Sequence, residues 1–256
     1  MEILAMSAPL FFRRKKMRLD KYLADVGLGS RKEVKVFIKK GKVQVNGEVI
    51  KSDKFQVKET ADCITFEGES LTYQKYFYYL LNKPQDVISA TQDNYDETVL
   101  DLFSDEDYRE DLFPVGRLDK DTEGFLLITN DGALSHRLLS PKKHVEKEYY
   151  AHVLGIMTQE DVALFEKGVI ISGEEQTLPA QLTILSVDES MHTSEISLVL
   201  HEGKFHQVKR MVAAVGKEVT YLKRVRMGNL TLPEDIELGQ YRQLSEEELE
   251  KLKENG

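Results

Sequence analysis

The sequence lacks most of the features that common site types need. Cys63 is its single cysteine, so no disulfide framework can form within the chain, which fits a reducing, cytoplasmic compartment. No stretch reaches the roughly 20 apolar residues that span a bilayer, so no membrane partner is expected. The opening Met1–Phe12 is apolar, but its positive charges, Arg13 to Lys16, follow the apolar run. A signal peptide has the reverse order. Residues 1–16 therefore read as a poorly ordered extension, with Met17 as a natural start. The chain has no phosphate-cradling G-x-x-x-x-G-K-[ST] loop, no G-x-G-x-x-G and no G-x-S-x-G elbow. One cysteine and 6 scattered histidines give no zinc spacing. The expected chemistry thus needs neither metal nor nucleotide cofactor. There is no internal repeat and no low-complexity segment.

What is present is globular: 256 residues, 41% hydrophobic and 31% charged. The net charge of −9 is unevenly spread. Residues 13–60 hold 15 Lys and Arg against 6 Asp and Glu, a net of +9, which leaves −18 for the remainder. A basic docking module joined to an acidic body gives this asymmetry, and so does a solvated lysine-rich surface.

The basic stretch has a compact pattern. Leu19, Tyr22, Leu23 and Val26 recur at helical spacing, and Gly27 and Gly29 end that helix. Ser30 and Glu33 form a capping box that starts a second helix. Val34, Phe37 and Ile38 are its apolar stripe; Arg31, Lys32, Lys35 and Lys39 lie toward the other side, as candidate RNA contacts. After Gly41, two alternating runs flank Asn46-Gly47, a hairpin signal. A charged helix beside a tight hairpin can meet RNA through shape and phosphates. The run from Arg18 to Gly47 resembles the RNA-binding domain named after ribosomal small-subunit protein four. That resemblance implies RNA binding, not chemistry.

A joint is expected near residues 68–76. Beyond it lie strand candidates at Tyr76–Leu81, Gly124–Thr129, Val145–Val153, Ala180–Val187, Thr193–Leu200 and Glu218–Val225. Asp131 can cap a short helix through Leu139, and Ser245 to Glu248 is a second capping box. Strands mixed with helices suggest an α+β domain on a mostly antiparallel sheet.

One segment stands out, Val115-Gly-Arg-Leu-Asp-Lys-Asp-Thr-Glu-Gly-Phe-Leu-Leu-Ile-Thr-Asn-Asp-Gly132. Glycines bound a polar loop that feeds an apolar strand, a setting that can hold a carboxylate at the rim of a core. By itself, an aspartate there also suits a turn or cap. The segment resembles the G-R-L-D-x-x-T-x-G-L-L-L-x-T-N-D-G signature of the pseudouridine synthases, in the RsuA branch that acts on the ribosomal small subunit. Phe125 stands at a usual leucine position. Lys147-Glu148-Tyr149 resembles the family's K-x-Y strand, and Glu202-Gly-Lys-Phe-His-Gln-Val-Lys-Arg-Met211 its last motif. With the N-terminal module the resemblance covers about residues 17–245.

It implies a fold and a site. The fold is α+β: a small S4-like RNA-binding domain at 17–70, a catalytic domain at 76–245 with a mostly antiparallel mixed sheet flanked by helices, and a C-terminal helix and tail at 246–256. Asp119 is the implied catalytic aspartate, Lys209 the cation paired with it, Tyr149 the ring against the target base, and Arg117 the residue filling the vacated stack. From the residues alone, Arg117 also suits an ordinary salt bridge, Tyr149 a core strand, and Lys209 a snorkelling position at a stripe edge. That stripe, on a helix starting near Lys204, is expected to be Phe205, Val208, Val212 and Val215, with Arg210 further toward solvent. His206 and Gln207 are expected to contact RNA or shape the pocket, and Asp121 ranks second to Asp119. Pseudouridine formation turns a base within one nucleotide, so no cofactor is demanded. Asp119 would attack C1′ or C6, or remove the 2′ proton. The expected partner of this enzyme, a monomer, is folded rRNA, free or in an assembly intermediate. The wording E-G-K-F-H-Q-V-K-R-M is nearer the 16S (small-subunit) branch; the alternatives are the same chemistry on 23S (large-subunit) rRNA and a non-catalytic RNA-binding or assembly factor.

Overall fold

The computed structural model describes residues 16–59 and 61–254. The chain divides into two compact units that meet in sequence between Lys75 and Tyr76. The expected extension lies outside the described residues except for Lys16, which is not loose. It opens strand β1 (Lys16–Arg18), paired antiparallel with β4 (Gln56–Lys58).

In the first unit, α1 (Leu19–Asp25) and α2 (Arg31–Lys39) pack over a core of Leu19, Tyr22, Leu23, Val34 and Ile38. The Ser30–Glu33 capping box starts α2, with Glu33 Oε2 accepting from Ser30 N at 2.8 Å. β2 (Val43–Val45) and β3 (Glu48–Val49) form the hairpin. Its turn residues Asn46 and Gly47 both have positive φ, 53° and 84°, the demand that Asn-Gly meets. β5 (Ile64–Phe66) and β6 (Glu69–Leu71) complete a four-stranded sheet, in the order β3-β2-β5-β6.

The second unit is built on a nine-stranded sheet. Its strands, in chain order, are β7 (Tyr78–Lys83), β8 (Phe113–Pro114), β9 (Glu123–Thr129), β10 (Lys147–Leu154), then, past a two-stranded ribbon β11 (Ile170–Ser172) and β12 (Glu175–Gln176), β13 (Gln181–Asp188), β14 (Thr193–Leu200), β15 (Glu218–Met227), β16 (Leu230–Thr231) and β17 (Tyr241–Gln243). The spatial order is β13-β14-β10-β15-β9-β7-β17, with β16 beside β15 and β8 beside β9. Every pairing is antiparallel except β9 with β15, which is parallel and registers Glu123 on Lys223 and Gly124 on Arg224. Helices α3 (Gly132–Leu139), α4 (Gln159–Phe165), α5 (Gln207–Ala214) and α6 (Glu246–Lys253) flank it. This is the mixed, mostly antiparallel α+β architecture.

β9 is apolar along its middle because both of its faces are covered. All seven residues of β9 are buried, and alternate side chains go to two different cores. Leu126 and Ile128 join Tyr79, Leu81, Tyr149, Leu198, Leu222 and Met211 in one. Phe125 and Leu127 join Leu80, Leu134 and Leu138 in the other. That second core also contains Leu252 of α6, so the terminal helix is part of this unit and not a tail appended to residues 76–245. Asp131 caps α3, accepting from the backbone N–H groups of Ala133 and Leu134.

Candidate active site

The loop between β8 and β9 carries Arg117, Leu118 and Asp119, and three devices hold it. Val115 N donates to Leu127 O at 2.7 Å. Ser89 Oγ bonds both the N–H and the carbonyl of Leu118 at 3.0 Å. Lys83, at the end of β7, is wholly buried, and its ammonium lies 2.9–3.3 Å from the carbonyl oxygens of Pro84, Asp119, Lys120 and Thr122. Thr122 N also donates to Asp119 O at 3.0 Å. With its backbone fixed in this way, Asp119 turns its carboxylate outward. Burial pushes the Lys83 ammonium down to about 8, against the pull of the surrounding Asp121, Asp119 and Glu123. Nothing in the sequence of β7 marks this lysine; its role follows only from the pairing of β7 with β9, which brings the loop over it.

The opposite wall is the turn from Glu202 to α5. Gln207 Nε2 donates to Glu202 Oε1 at 2.8 Å, and Gln207 Oε1 accepts from Lys204 N at 2.8 Å. These bonds close the turn. Gln207 is buried with its amide used inside the protein, and it forms part of the cavity wall. The helix begins at Gln207 rather than near Lys204, because His206 takes a left-handed backbone (φ 47°). Phe205 is therefore not in the buried stripe. It is 69% exposed, and the stripe is Val208, Met211 and Val212, with Val215 packed partly against it. Arg210 does not simply point to solvent; it donates to Glu175 Oε2 at 2.7 Å.

Lys209 projects from the first turn of α5 toward the loop. Its Nζ lies 3.5 Å from Asp119 Oδ2 and 2.6 Å from Asp121 Oδ1. The nearer partner is thus Asp121, whose carboxyl it holds below the usual range. His206 Nε2 stands 3.5 Å from the other oxygen of Asp119. Tyr149, on β10 between Leu198 and Arg224, forms the floor. A cavity of about 80 Å³ joins Asp119, Tyr149, Thr122, His206, Leu200 and Leu222. It shares Arg117, Asp119 and His206 with a wider cleft of about 570 Å³. The structure thus brings Arg117, Asp119, Tyr149, His206, Gln207 and Lys209 to one place. Arg117 is exposed and makes no ion pair among the described residues.

Thr122 Oγ1, in the cavity lining, and Arg224 Nη2, on the strand beside Tyr149, are buried with no hydrogen-bond partner among the described residues. Arg224 donates through Nε to Phe125 O at 2.8 Å. Lys147, two residues from Tyr149, donates to Val145 O; burial and then Arg224 push it down to about 8. A carboxylate with a lysine beside it, an aromatic floor, an exposed arginine and an open cleft suit an anionic substrate that presents a planar ring. Among the described residues no group of acids, histidines and cysteines is arranged to hold a metal.

The first unit contributes separately. Arg31, Lys32 and Lys39 are exposed on α2. Lys35 is not free: its ammonium lies 3.8 Å from Asp20 and 3.6 Å from Asp53. No helix among the described residues is long and apolar enough to cross a membrane.

The RNA pseudouridylate synthase family matches residues 77–214, and the S4 domain matches residues 17–63. The chain belongs to the RNA pseudouridylate synthase family; it is an isomerase acting on RNA. An uncharacterized RNA pseudouridine synthase of Bacillus subtilis, YtzG, is 50% identical over 93% of this chain and 99% of its own. Ribosomal small subunit pseudouridine synthase A of Vibrio cholerae is 43% identical over 91% of this chain and 98% of its own. Ribosomal large subunit pseudouridine synthase B of Bacillus subtilis is 40% identical over 92% and 95%. A crystal structure of a pseudouridylate synthase superposes with a TM-score of 0.64, at 37% identity over 92% of this chain and 99% of that one.

Proposed function

We propose that this protein converts one uridine of 16S rRNA to pseudouridine in the cytoplasm, acting as a monomer, with Asp119 as the essential group. The observation that carries the reading is the meeting of Asp119 and Tyr149 in one cavity, with the Lys209 ammonium 3.5 Å from the Asp119 carboxylate. Relatives named for the small subunit, together with the E-G-K-F-H-Q-V-K-R-M wording, favour 16S rRNA. The large-subunit enzyme at 40% identity supports 23S rRNA as the second reading.

The exposed cations of α2, Arg31, Lys32 and Lys39, meet phosphates of folded RNA, free or in an assembly intermediate. The target nucleotide leaves its stack, and Arg117, engaged in no ion pair among the described residues, fills the space. The uracil lies on Tyr149, and its ribose faces Asp119. The carboxylate attacks C1′ or C6, or takes the 2′ proton. In each route the N1–C1′ bond breaks, the base turns, C5 bonds C1′, the C5 proton leaves and N1 gains one. Atoms and electrons balance with no added reactant. Lys209 keeps positive charge beside Asp119 as it works, His206 Nε2 stands beside the other carboxylate oxygen, and Lys83 holds the loop backbone.

The test is Asp119→Asn, assayed by carbodiimide mapping of pseudouridine in unmodified 16S and 23S transcripts. The variant is expected to bind rRNA and form no pseudouridine. Wild-type activity in the variant removes Asp119 from the mechanism; modification by the wild type confined to 23S rRNA replaces the first substrate with the second.

A further inference from the structure

Phe205 is an unusual residue to find in solvent beside a catalytic carboxylate. Its ring lies flat on the His206 imidazole, with centroids 3.7 Å apart and planes at 21°. His206 holds this stack through a left-handed backbone, a conformation unfavourable for a residue with a Cβ. It also ties the stack to the site, because its Nε2 reaches Asp119. Strain of this kind persists only where surrounding structure fixes it, and the Gln207–Glu202 bonds do so here. The result is an exposed aromatic step whose inner face rests on the His206 ring.

The step borders the 570 Å³ cleft, which Arg117 and Asp119 line from the other side. The small cavity above Tyr149 has room for one ring only. The wider cleft is within the roughly 300–1,000 Å³ of sites that hold a whole ligand. Between the two lie Asp119 and Arg117, whose guanidinium makes no ion pair among the described residues. A chain of nucleotides entering over Asp119 thus meets an exposed aromatic face in the same cleft, beside the reacting position.

We infer that the Phe205–His206 stack is a second base-binding subsite, which receives the unpaired base next to the extruded uridine. This rests on the reading of the protein as a synthase that flips a nucleotide. Stacking is indifferent to base identity, so the subsite sets affinity and register rather than sequence choice.

The sequence contains no tryptophan, which makes a direct test available. Phe205→Trp, combined with Asp119→Asn to stop turnover, is titrated with unmodified 16S transcript while tryptophan emission is followed. Separately, Phe205→Ala and Phe205→Tyr are assayed by tritium release from transcript carrying 5-tritiated uridine. The expected results are quenched emission on binding, a half-saturating RNA concentration about 5- to 100-fold higher for the alanine variant, and near-wild-type behaviour for tyrosine. Thermal midpoints should match wild type, since the side chain is exposed. Unquenched emission with RNA bound, or unchanged half-saturation in Phe205→Ala, overturns the subsite. A wild-type enzyme that releases no tritium from either rRNA overturns the underlying reading instead.

Discussion

One ammonium serves two carboxylates of the same loop: Lys209 Nζ is 3.5 Å from Asp119 and 2.6 Å from Asp121. Asp121 is 68% exposed, so water screens its half of the pair, whereas Asp119 looks into the cavity. Lys209→Gln is expected to lower kcat by about 100-fold or more, the scale of losing one preorganised charge partner. Asp121→Asn, by leaving the lysine to Asp119 alone, should cost less than about tenfold. Single-turnover kinetics on rRNA would check both; equal losses in the two variants would mean that Asp121 shares the chemistry.

Lys83 ties four carbonyl oxygens with one buried cation. Lys83→Met removes this donor from all four, leaving Asp119 O and Lys120 O with one backbone N–H each, and should destabilise the protein by about 2–3 kcal/mol. In a domain of this size that lowers Tm by about 4–12 °C, readable by calorimetry. A pH dependence follows as well. The unfolded side chain keeps its proton to about 10.5, while the folded one releases it near 8. Between those values the unfolded chain binds more protons, so this lysine's contribution to stability rises with pH. Activity should move the other way. Above pH 8 the neutral amine has fewer N–H groups for the loop, and kcat should fall while Tm does not. A Tm that drops in step with kcat would assign the loss to alkaline unfolding.

Gly124 sits where the two halves of the sheet join. It has φ 102°, and a Cβ built there would lie 2.2 Å from the carbonyl oxygen of Arg224. Gly124→Ala meets both backbone strain and a clash with a strand that cannot yield. A loss of about 3 kcal/mol or more is expected, with poor soluble yield. Urea unfolding within about 1 kcal/mol of wild type would contradict the close approach of β9 and β15.

The first unit should bind RNA by charge. Affinity for rRNA is expected to fall linearly on a log–log plot against salt. Replacing Arg31, Lys32 and Lys39 with glutamine should reduce the slope by roughly 0.7–0.9 for each phosphate that is no longer neutralised. Lys35→Gln should matter less, since Asp20 and Asp53 already hold that ammonium. Filter binding across roughly 50 to 200 mM salt measures this, and an unchanged slope in the triple variant would place the RNA-facing cations elsewhere.

Features set by neighbours in the chain were legible before any fold was known. The Ser30–Glu33 and Ser245–Glu248 boxes, the Asn46-Gly47 turn and the Asp131 cap all depend on residues within a few positions. β14 spans Thr193–Leu200 as read, because its alternation matches a strand with one covered face. Side-chain partners far apart in sequence were not legible. Arg210 meets Glu175, Lys83 meets the Asp119 loop, and Lys209 prefers Asp121, each across a distance that only the sheet order sets. Phe205 was misplaced for a different reason: its spacing fits the helix stripe, but the turn fixed by Gln207 delays the helix start. That delay was visible only as an E-G-K wording unsuited to a helical interior.

The parallel pairing of β9 with β15 has a consequence during synthesis. A nascent chain that ends at Leu200 already carries Asp119 and Tyr149, but β9 still waits for the neighbour that closes its edge, and Lys209 has not been added. The unfinished polypeptide therefore holds the Asp119 carboxylate before the ammonium that will stand 3.5 Å from it has been made.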